Sequence, residues 1–339
     1  MEKIIGGSAL IQVKDLVKQY RGITALDGVS FSFDKGGLHG ILGASGAGKS
    51  TLLNIICSCL GEDSGEVLVD GISTKESPNA AKKKIGYLPE VPPLYSDMTA
   101  YEYLIFVAEA KSVSYDKLYK NVKSAVELTG LEGVEHKVIK NLSAEHKVRV
   151  GIAQTLLGNP DVIILDEPFA KAGKSATAEL SELIKRLSGI KTVVLASSDY
   201  ELIESICDDI VILSRGKVVA FDTVEELHKR LGRTKTLKVS LRGSESSVIS
   251  ELSAISAITD CTVVSAKSGV LSLRLEYEQD FDVRDEVFAV LAKAGMPILS
   301  MDVEALSLRD IFAKLSENES ASRPVIPDKK KAKNRRKGV

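Results

Sequence analysis

Residues 43–51 read GASGAGKST. Gly43, Gly48, Lys49 and Ser50 fit G-x-x-x-x-G-K-[ST], the pattern in which a glycine-rich loop closes its backbone N–H groups around a phosphate. The apolar run before it, GLHGILG at 37–43, reads as a strand entering the loop, and a helix is expected from about Gly48 to Leu60. The helix N-terminus adds positive potential at the loop. Lys49 has the length to reach the β and γ oxygens of a nucleoside triphosphate, and the Ser50 hydroxyl is placed to hold Mg²⁺. Gly43, Ala44, Ser45, Gly46, Ala47, Gly48, Lys49, Ser50 and Thr51 are therefore candidate phosphate-binding positions. A glycine-rich turn without a ligand is the plain alternative, and the strand–loop–helix context weighs against it.

Further along, VIILDEP at 162–168 supplies a second half. An apolar run ending in acids is typical of a buried parallel strand. Asp166 at its carboxyl end is placed to bind the metal, and Glu167 to polarise an attacking water. Paired acids ending a strand also occur as plain caps, but a phosphate loop upstream favours the chemical reading.

Around these two segments strands alternate with helices. IQVKDLVKQY (11–20) and GVSFSF (28–33) alternate apolar and polar residues as half-solvated strands, and GEVLVDG (65–71) is a further short one. Thr99 and Glu102 form a capping box opening a helix to about Lys111, and helical periodicity returns at 115–129 and 146–158. KTVVLAS (191–197) is another buried strand, and GKVVAFDTVEEL gives a last strand and a helix capped by Thr223 and Glu226. Such alternation implies an α/β domain with a mainly parallel core sheet.

The pattern changes after about Gly232. TLKVSL, ESSVISELSAI, CTVVSA, VLSLRLE, a helix over Val283–Ala294 and PILSMDVE follow in the order βαββαβ, with one more helix expected from Ser307 to Leu315. That order suggests a small ferredoxin-like domain. The expected organisation is a nucleotide-binding domain over 1–232, an accessory domain over 233–318 and a disordered tail over 319–339. A chain of 339 residues exceeds the usual single-domain size, in keeping with two domains.

Charged residues at 27% and apolar ones at 44% are ordinary for a soluble globular protein. The stretch 323–339 holds eight Lys or Arg against one Asp, near +7, so with the chain at −1 the remainder carries about −8. Nucleic-acid binding by the main body is disfavoured on that charge. The tail is read as a solvated end, with attraction to anionic lipid as the functional alternative. Cys57, Cys59, Cys207 and Cys261 make no metal-ligand spacing with the scattered histidines and read as reduced thiols. No apolar run approaches the length that spans a bilayer, and no signal-peptide pattern opens the chain.

With these motifs in order, residues 9 to about 228 resemble the ATP-binding cassette family. The resemblance implies a P-loop NTPase cassette with a parallel core sheet, an antiparallel subdomain and a helical subdomain. It implies ATP and Mg²⁺ as cofactors, with Tyr20 stacking on adenine. Glu90 matches a position often held by glutamine and is assigned to the metal beside Ser50 and Asp166. Leu142 to Arg149 match the signature region, which faces the ATP of a second cassette. IGYLPEVPPLYSDMTAYEYLIF (85–106) matches the segment that receives a membrane subunit, and with ALSLRDIFAKL (305–315) it looks like the subgroup serving ABC-2-type exporters. A permease partner, a homodimer or a heterodimer with a complete cassette, and a cytoplasmic position on the inner membrane face follow from that likeness.

The family pattern breaks at three places. Ser143 is retained in the signature as a donor to the γ-phosphate, but Glu145 stands where the family has glycine. Two like charges about 4 Å apart cost roughly 4 kcal/mol at an effective dielectric of 20, so Glu145 is expected to oppose closure on ATP unless it pairs with Lys147 or Arg149. Gly173 stands where an aspartate is expected, and Asp199 stands at the switch-histidine position, where it would repel the γ-phosphate or engage the metal. The leading expectation is an ATPase subunit of an exporter with weak or partner-dependent turnover; the alternative is a non-hydrolysing ATP-binding regulatory or assembly subunit.

Overall fold

The computed structural model of the chain describes residues 9–170, 173–231, 234–267, 269–278 and 282–304. The first third comprises β1 (Ala9–Tyr20), β2 (Ile23–Asp34), β3 (Leu38–Leu42), α1 (Lys49–Ile56), β4 (Ser64–Val69), β5 (Ile72–Ser73), α2 (Pro78–Lys83) and β6 (Ile85–Leu88). The helices α3 (Ala100–Ala110), α4 (Tyr115–Thr129) and α5 (Ala144–Leu156) follow. Next come β7 (Val162–Asp166), α6 (Lys174–Ser188), β8 (Thr192–Ser197), α7 (Tyr200–Ile206), β9 (Asp209–Ser214), β10 (Lys217–Thr223) and α8 (Val224–Leu231). The last unit holds β11 (Thr234–Leu241), α9 (Glu245–Leu252), β12 (Ile258–Lys267), β13 (Val270–Glu278), α10 (Arg284–Lys293) and β14 (Ile298–Glu304).

The central sheet runs β10-β9-β3-β8-β7-β6. Every pairing in it is parallel except β10 with β9. Parallel strands lie between two covered faces, so both alternating sets must be apolar. In β7 all of Val162, Ile163, Ile164, Leu165 and Asp166 are buried. Val162 and Ile164 face α1 and the antiparallel sheet β2-β1-β4-β5, whereas Ile163 and Leu165 face α5 and α6. Leu52, Leu53, Ile55 and Ile56 of α1 are fully buried between the two sheets, each contributing about 1.5–3 kcal/mol by leaving water. That wedge fixes the start of α1, and hence Lys49, against the sheet.

β6 sits close under α5. A Cβ at Gly86 would meet the Thr155 carbonyl closer than real contacts allow, so only glycine permits this approach. The capping box of α3 is formed as read: Thr99 N–H donates to Glu102 Oε2 at 2.8 Å, and Glu102 N–H to Thr99 Oγ1 at 3.1 Å.

Several sequence expectations need correction. α1 ends at Ile56 rather than Leu60, because Ser58 turns to φ 54° and the Cys59 and Leu60 amides fold back on Asn54 O. α5 starts at Ala144, two residues before the expected start, because Ser143 caps it. The strand β9 and helices α6 and α7 escaped the sequence reading. The helix expected over 307–315 and the tail over 319–339 lie outside the described residues, as does the junction at 232–233. In the last unit the four strands are antiparallel in the order β12-β13-β11-β14, with α9 and α10 sharing an apolar core with Leu237, Val239, Leu273 and Leu275. Cys57, Cys59, Cys207 and Cys261 are free thiols.

His39, buried in β3, has only acceptors around it. Its Nδ1 lies 2.8 Å from Asp209 Oδ1, and its Nε2 lies 2.8 Å from Gly36 O and 3.1 Å from Asp34 O. Burial pushes the imidazole toward its neutral form, but the Asp209 carboxylate and the two carbonyls outweigh it and raise the pKa. A pKa raised on folding gives stability that is fully present below the unfolded value, about 6.5, and is lost as pH rises through the folded value. The Tm of the chain should therefore fall across that interval, and His39→Gln should flatten the slope. Identical slopes for the two proteins in thermal scans would sink this account.

Candidate functional site

The candidate site lies at the carboxyl ends of β3, β8, β7 and β6, where ligands bind in open parallel sheets. Between β3 and α1 the loop from Gly43 turns so that Gly48 adopts φ 107°, a conformation glycine alone takes readily. A Cβ there would also stand 2.7 Å from Ala25 O. Lys49, 6% exposed, curls over the loop. Its Nζ donates to Gly43 O at 2.7 Å and Ala44 O at 3.3 Å, and lies 3.2 Å from Glu167 Oε1.

Asp166 ends β7 and is 2% exposed, with Oδ1 buried and lacking any hydrogen-bond partner. Burial pushes its carboxyl up, the Ser50 hydroxyl bond pulls it down, the nearby Glu167 and Glu90 raise it further, and Lys49 lowers it. A divalent cation would reverse the net shift and satisfy the orphaned oxygen. Among the described residues no cluster of three or more His, Cys, Asp or Glu gathers to hold a metal; the Ser50 hydroxyl and Asp166 carboxylate are oxygen donors of the kind Mg²⁺ takes alongside water and phosphate. The residues present thus fit Mg²⁺ carried in on a nucleotide.

Glu167 takes φ 47°, a left-handed conformation that costs a glutamate energy and commonly marks a functional position. That turn brings its carboxylate into the cleft, where Ser197 Oγ donates to Oε2 at 3.3 Å. Tyr20, Ala25, Ser45, Gly46, Gly48, Lys49, Ser50, Thr51, Glu90, Glu167, Ala170 and Ser198 line one cleft. Tyr20 is 43% exposed, with Lys18 Nζ 5.8 Å from its ring centroid. Gly43, Ala44 and Ala47 shape the loop from behind without lining the cleft, and Asp166 sits beneath it.

Of the remaining sequence candidates, Ser143, Glu145 and Asp199 each have a partner within this chain, and Glu145 takes up the Arg149 pairing offered above as relief. Glu145 does not stand free as a repelling acid. Its Oε1 accepts from Arg149 Nε at 2.7 Å, the favourable acid-first i,i+4 pairing on one helix face. Arg149 is itself pinned, with Nη1 donating to Thr129 O at 3.0 Å and Nη2 to Glu179 Oε2 at 3.0 Å. Ser143 Oγ is occupied too: it accepts from the His146 N–H at 3.2 Å and lies 2.7 Å from His146 Nδ1. Asp199 is not among the residues lining the cleft, and its Oδ1 caps α7 by accepting from Leu202 N–H at 3.1 Å. Gly173, at the N-cap of α6, is present as read.

Sequence reading missed Ser197 and Ser198, although both end the strand KTVVLAS-S beside the switch position. It also passed over His146.

The pattern of the family described as ABC transporter matches residues 26–170. The chain is similar to the linearmycin resistance ATP-binding protein LnrL of Bacillus subtilis (strain 168), 28% identical over 308 residues that cover 91% of this chain and 98% of that protein. It is similar to the uncharacterized ABC transporter ATP-binding protein YhcH of the same organism, 30% identical over 264 residues that cover 77% of this chain and 85% of that one. The dimeric structure of MJ0796, a bacterial ABC transporter cassette, resembles it with a TM-score of 0.57 and 28% identity, over 63% of this chain and 98% of that chain.

Proposed function

Because the chain belongs to the ATP-binding proteins of ABC transporters, we propose that it binds Mg-ATP at Gly43–Thr51 and couples binding to a separate export permease, with partner-dependent turnover. The observation that carries the nucleotide reading is the buried, partnerless Asp166 Oδ1 beneath Ser50 and Lys49. In this reading Mg²⁺ supplies charge neutralisation at the phosphates, held through Ser50 and Asp166 with Glu90 beside them. Lys49 leaves Gly43 O and Glu167 to meet the β and γ oxygens. Tyr20 stacks on the base. Glu167, freed from Lys49, orients and polarises the attacking water as general base.

Export as the direction draws on LnrL, whose name states linearmycin resistance and whose match extends over the C-terminal unit. A permease docking face is supported by an exposed patch in the 85–106 segment. Val91 is 68% exposed, and the exposed rings of Tyr95 and Phe106 stand 5.3 Å apart. No helix among the described residues is long and apolar enough to cross a membrane, and the reading assigns the membrane path to a separate subunit. A second cassette, a copy of this chain or a complete one, completes the assembly, at the cytoplasmic membrane face. We read the C-terminal unit as a ferredoxin-like accessory domain over 233–318.

Weak turnover in the chain alone draws on the three departures from the family pattern: Glu145 in place of the signature glycine, Gly173 in place of the aspartate and Asp199 in place of the switch histidine. The test is phosphate release by the chain alone and with a co-purified permease in vesicles. Stimulation by the permease is expected, because closure completes the catalytic constellation. No release above a Lys49→Ala control in the assembled complex would leave the non-hydrolysing regulatory role in place of the ATPase.

A further inference from the structure

We propose that the outer edge of β14 is a contact between two copies of this chain, in which the strand pairs antiparallel with its own counterpart about Met301. The order β12-β13-β11-β14 leaves two outer strands in the C-terminal sheet, and among the described residues neither has a strand on its far side. Such an edge presents a row of backbone donors and acceptors to an incoming strand. The two edges are not alike. β12 slips register between Ile258 and Asp260 and again between Val263 and Ser265, and such irregularities blunt an edge. β14 pairs with β11 in unbroken register from Ser300 to Glu304, with its one shift at the start beside Ile298. Apolar surface gathers at this second edge. Leu299 is 49% and Val303 44% exposed, and Phe288 of α10, which shares a groove with Met296 and Ile298, is 60% exposed. Met301 and Val303 stand beside Val239 and Leu237 of β11, on the side that α9 and α10 cover.

Charge and pattern along the strand select a second copy as the occupant. A two-fold contact brings the same patch together from both sides, so the strand must match itself read backwards. LSMDV at 299–303 does so about Met301. Leu299 then stands opposite Val303, an apolar pair made twice, and Ser300 stands opposite Asp302, a hydroxyl able to donate to a carboxylate, also twice. Asp302 already lies across from Lys238 of β11, so in the pair it has a donor on each side. Moving the axis to Asp302 sets two carboxylates directly opposite, which is destabilising. Moving it to Ser300 sets Asp302 against Ile298, an acid against an apolar side chain. The Met301 register alone of these three matches apolar with apolar and acid with donor.

The contact does not rest on the nucleotide reading, so it is tested on the full chain without nucleotide, by oxidative cross-linking read on a non-reducing gel. Residues directly opposite in an antiparallel pair have Cα atoms about 4.5–5.5 Å apart, within disulfide reach. Met301→Cys should therefore link to itself and give a dimer band above the background of the wild-type chain, which carries the exposed Cys59. Val264→Cys, on the other edge, should stay at that background. Met301 is partly buried, so a second arm uses exposed positions: Leu299→Cys and Val303→Cys should link when the two variants are mixed and neither should link alone. Val303→Lys places a charge on the edge and should abolish the Met301→Cys dimer while leaving the thermal transition in place. A Met301→Cys chain that folds yet links no more than wild type overturns the contact, as would be seen if the edge receives a strand of some other protein. Linking by Val264→Cys to the same extent, or linking that survives Val303→Lys, also overturns it. So does a mixture of Leu299→Cys and Val303→Cys that links no better than either variant alone.

Discussion

Lys49→Ala is expected to lower Mg-ATP affinity by about 10²–10³-fold, two charge-assisted bonds being worth roughly 3–4 kcal/mol together. The side chain is buried and already curled over the loop, so little conformational freedom remains to be lost when phosphates arrive. It compensates Glu167, 3.2 Å away, and its removal leaves that carboxylate without this cation. The fold should survive, because α1 is held by Leu52, Leu53, Ile55 and Ile56 rather than by Lys49. Calorimetry with Mg-ATP, paired with a thermal scan, separates the two effects. Affinity within about threefold of wild type, less than 1 kcal/mol, would remove Lys49 from the phosphate site.

Glu167→Gln is expected to reduce turnover by about 10²–10⁴-fold in the assembled complex, the usual contribution of a general base. Nucleotide binding should hold or tighten, because Lys49 no longer has an ion pair to break. The amide oxygen of glutamine still accepts from Ser197, so the geometry at the end of β8 is preserved. Phosphate release and nucleotide binding must be read on the same preparation. Turnover unchanged by this substitution would show that another group activates the water.

Most of the site was legible because its two halves are contiguous in sequence. Loop, flanking strand and helix all lie within GLHGILGASGAGKST, and VIILDE carries its burial and its acids together. Orientation was less accessible. The sequence left Glu145 between repulsion and pairing with Lys147 or Arg149, and Asp199 between repulsion and the metal; in the structure Glu145 accepts from Arg149 and Asp199 from the Leu202 amide. Residue type fixes charge but not rotamer, and helix caps and i,i+4 pairs compete for the same carboxylate. The strand β9 was missed because DIVILS follows a short helix without a turn signal, and its six residues carry no alternation: all but the first are fully buried.

The guanidinium of Arg149 has a mechanical consequence. It ties the last residue of α4, the first turn of α5 and the middle of α6 in one planar fork. α6 follows the segment that carries Asp166 and Glu167, so under the proposed docking a load on α4 and α5 would reach that segment through Arg149 as well as through the packing of Val148 and Ile152 with Leu180 and Leu183. Lysine at 149 would keep the charge but lose the fork, leaving the three helices joined by their apolar packing.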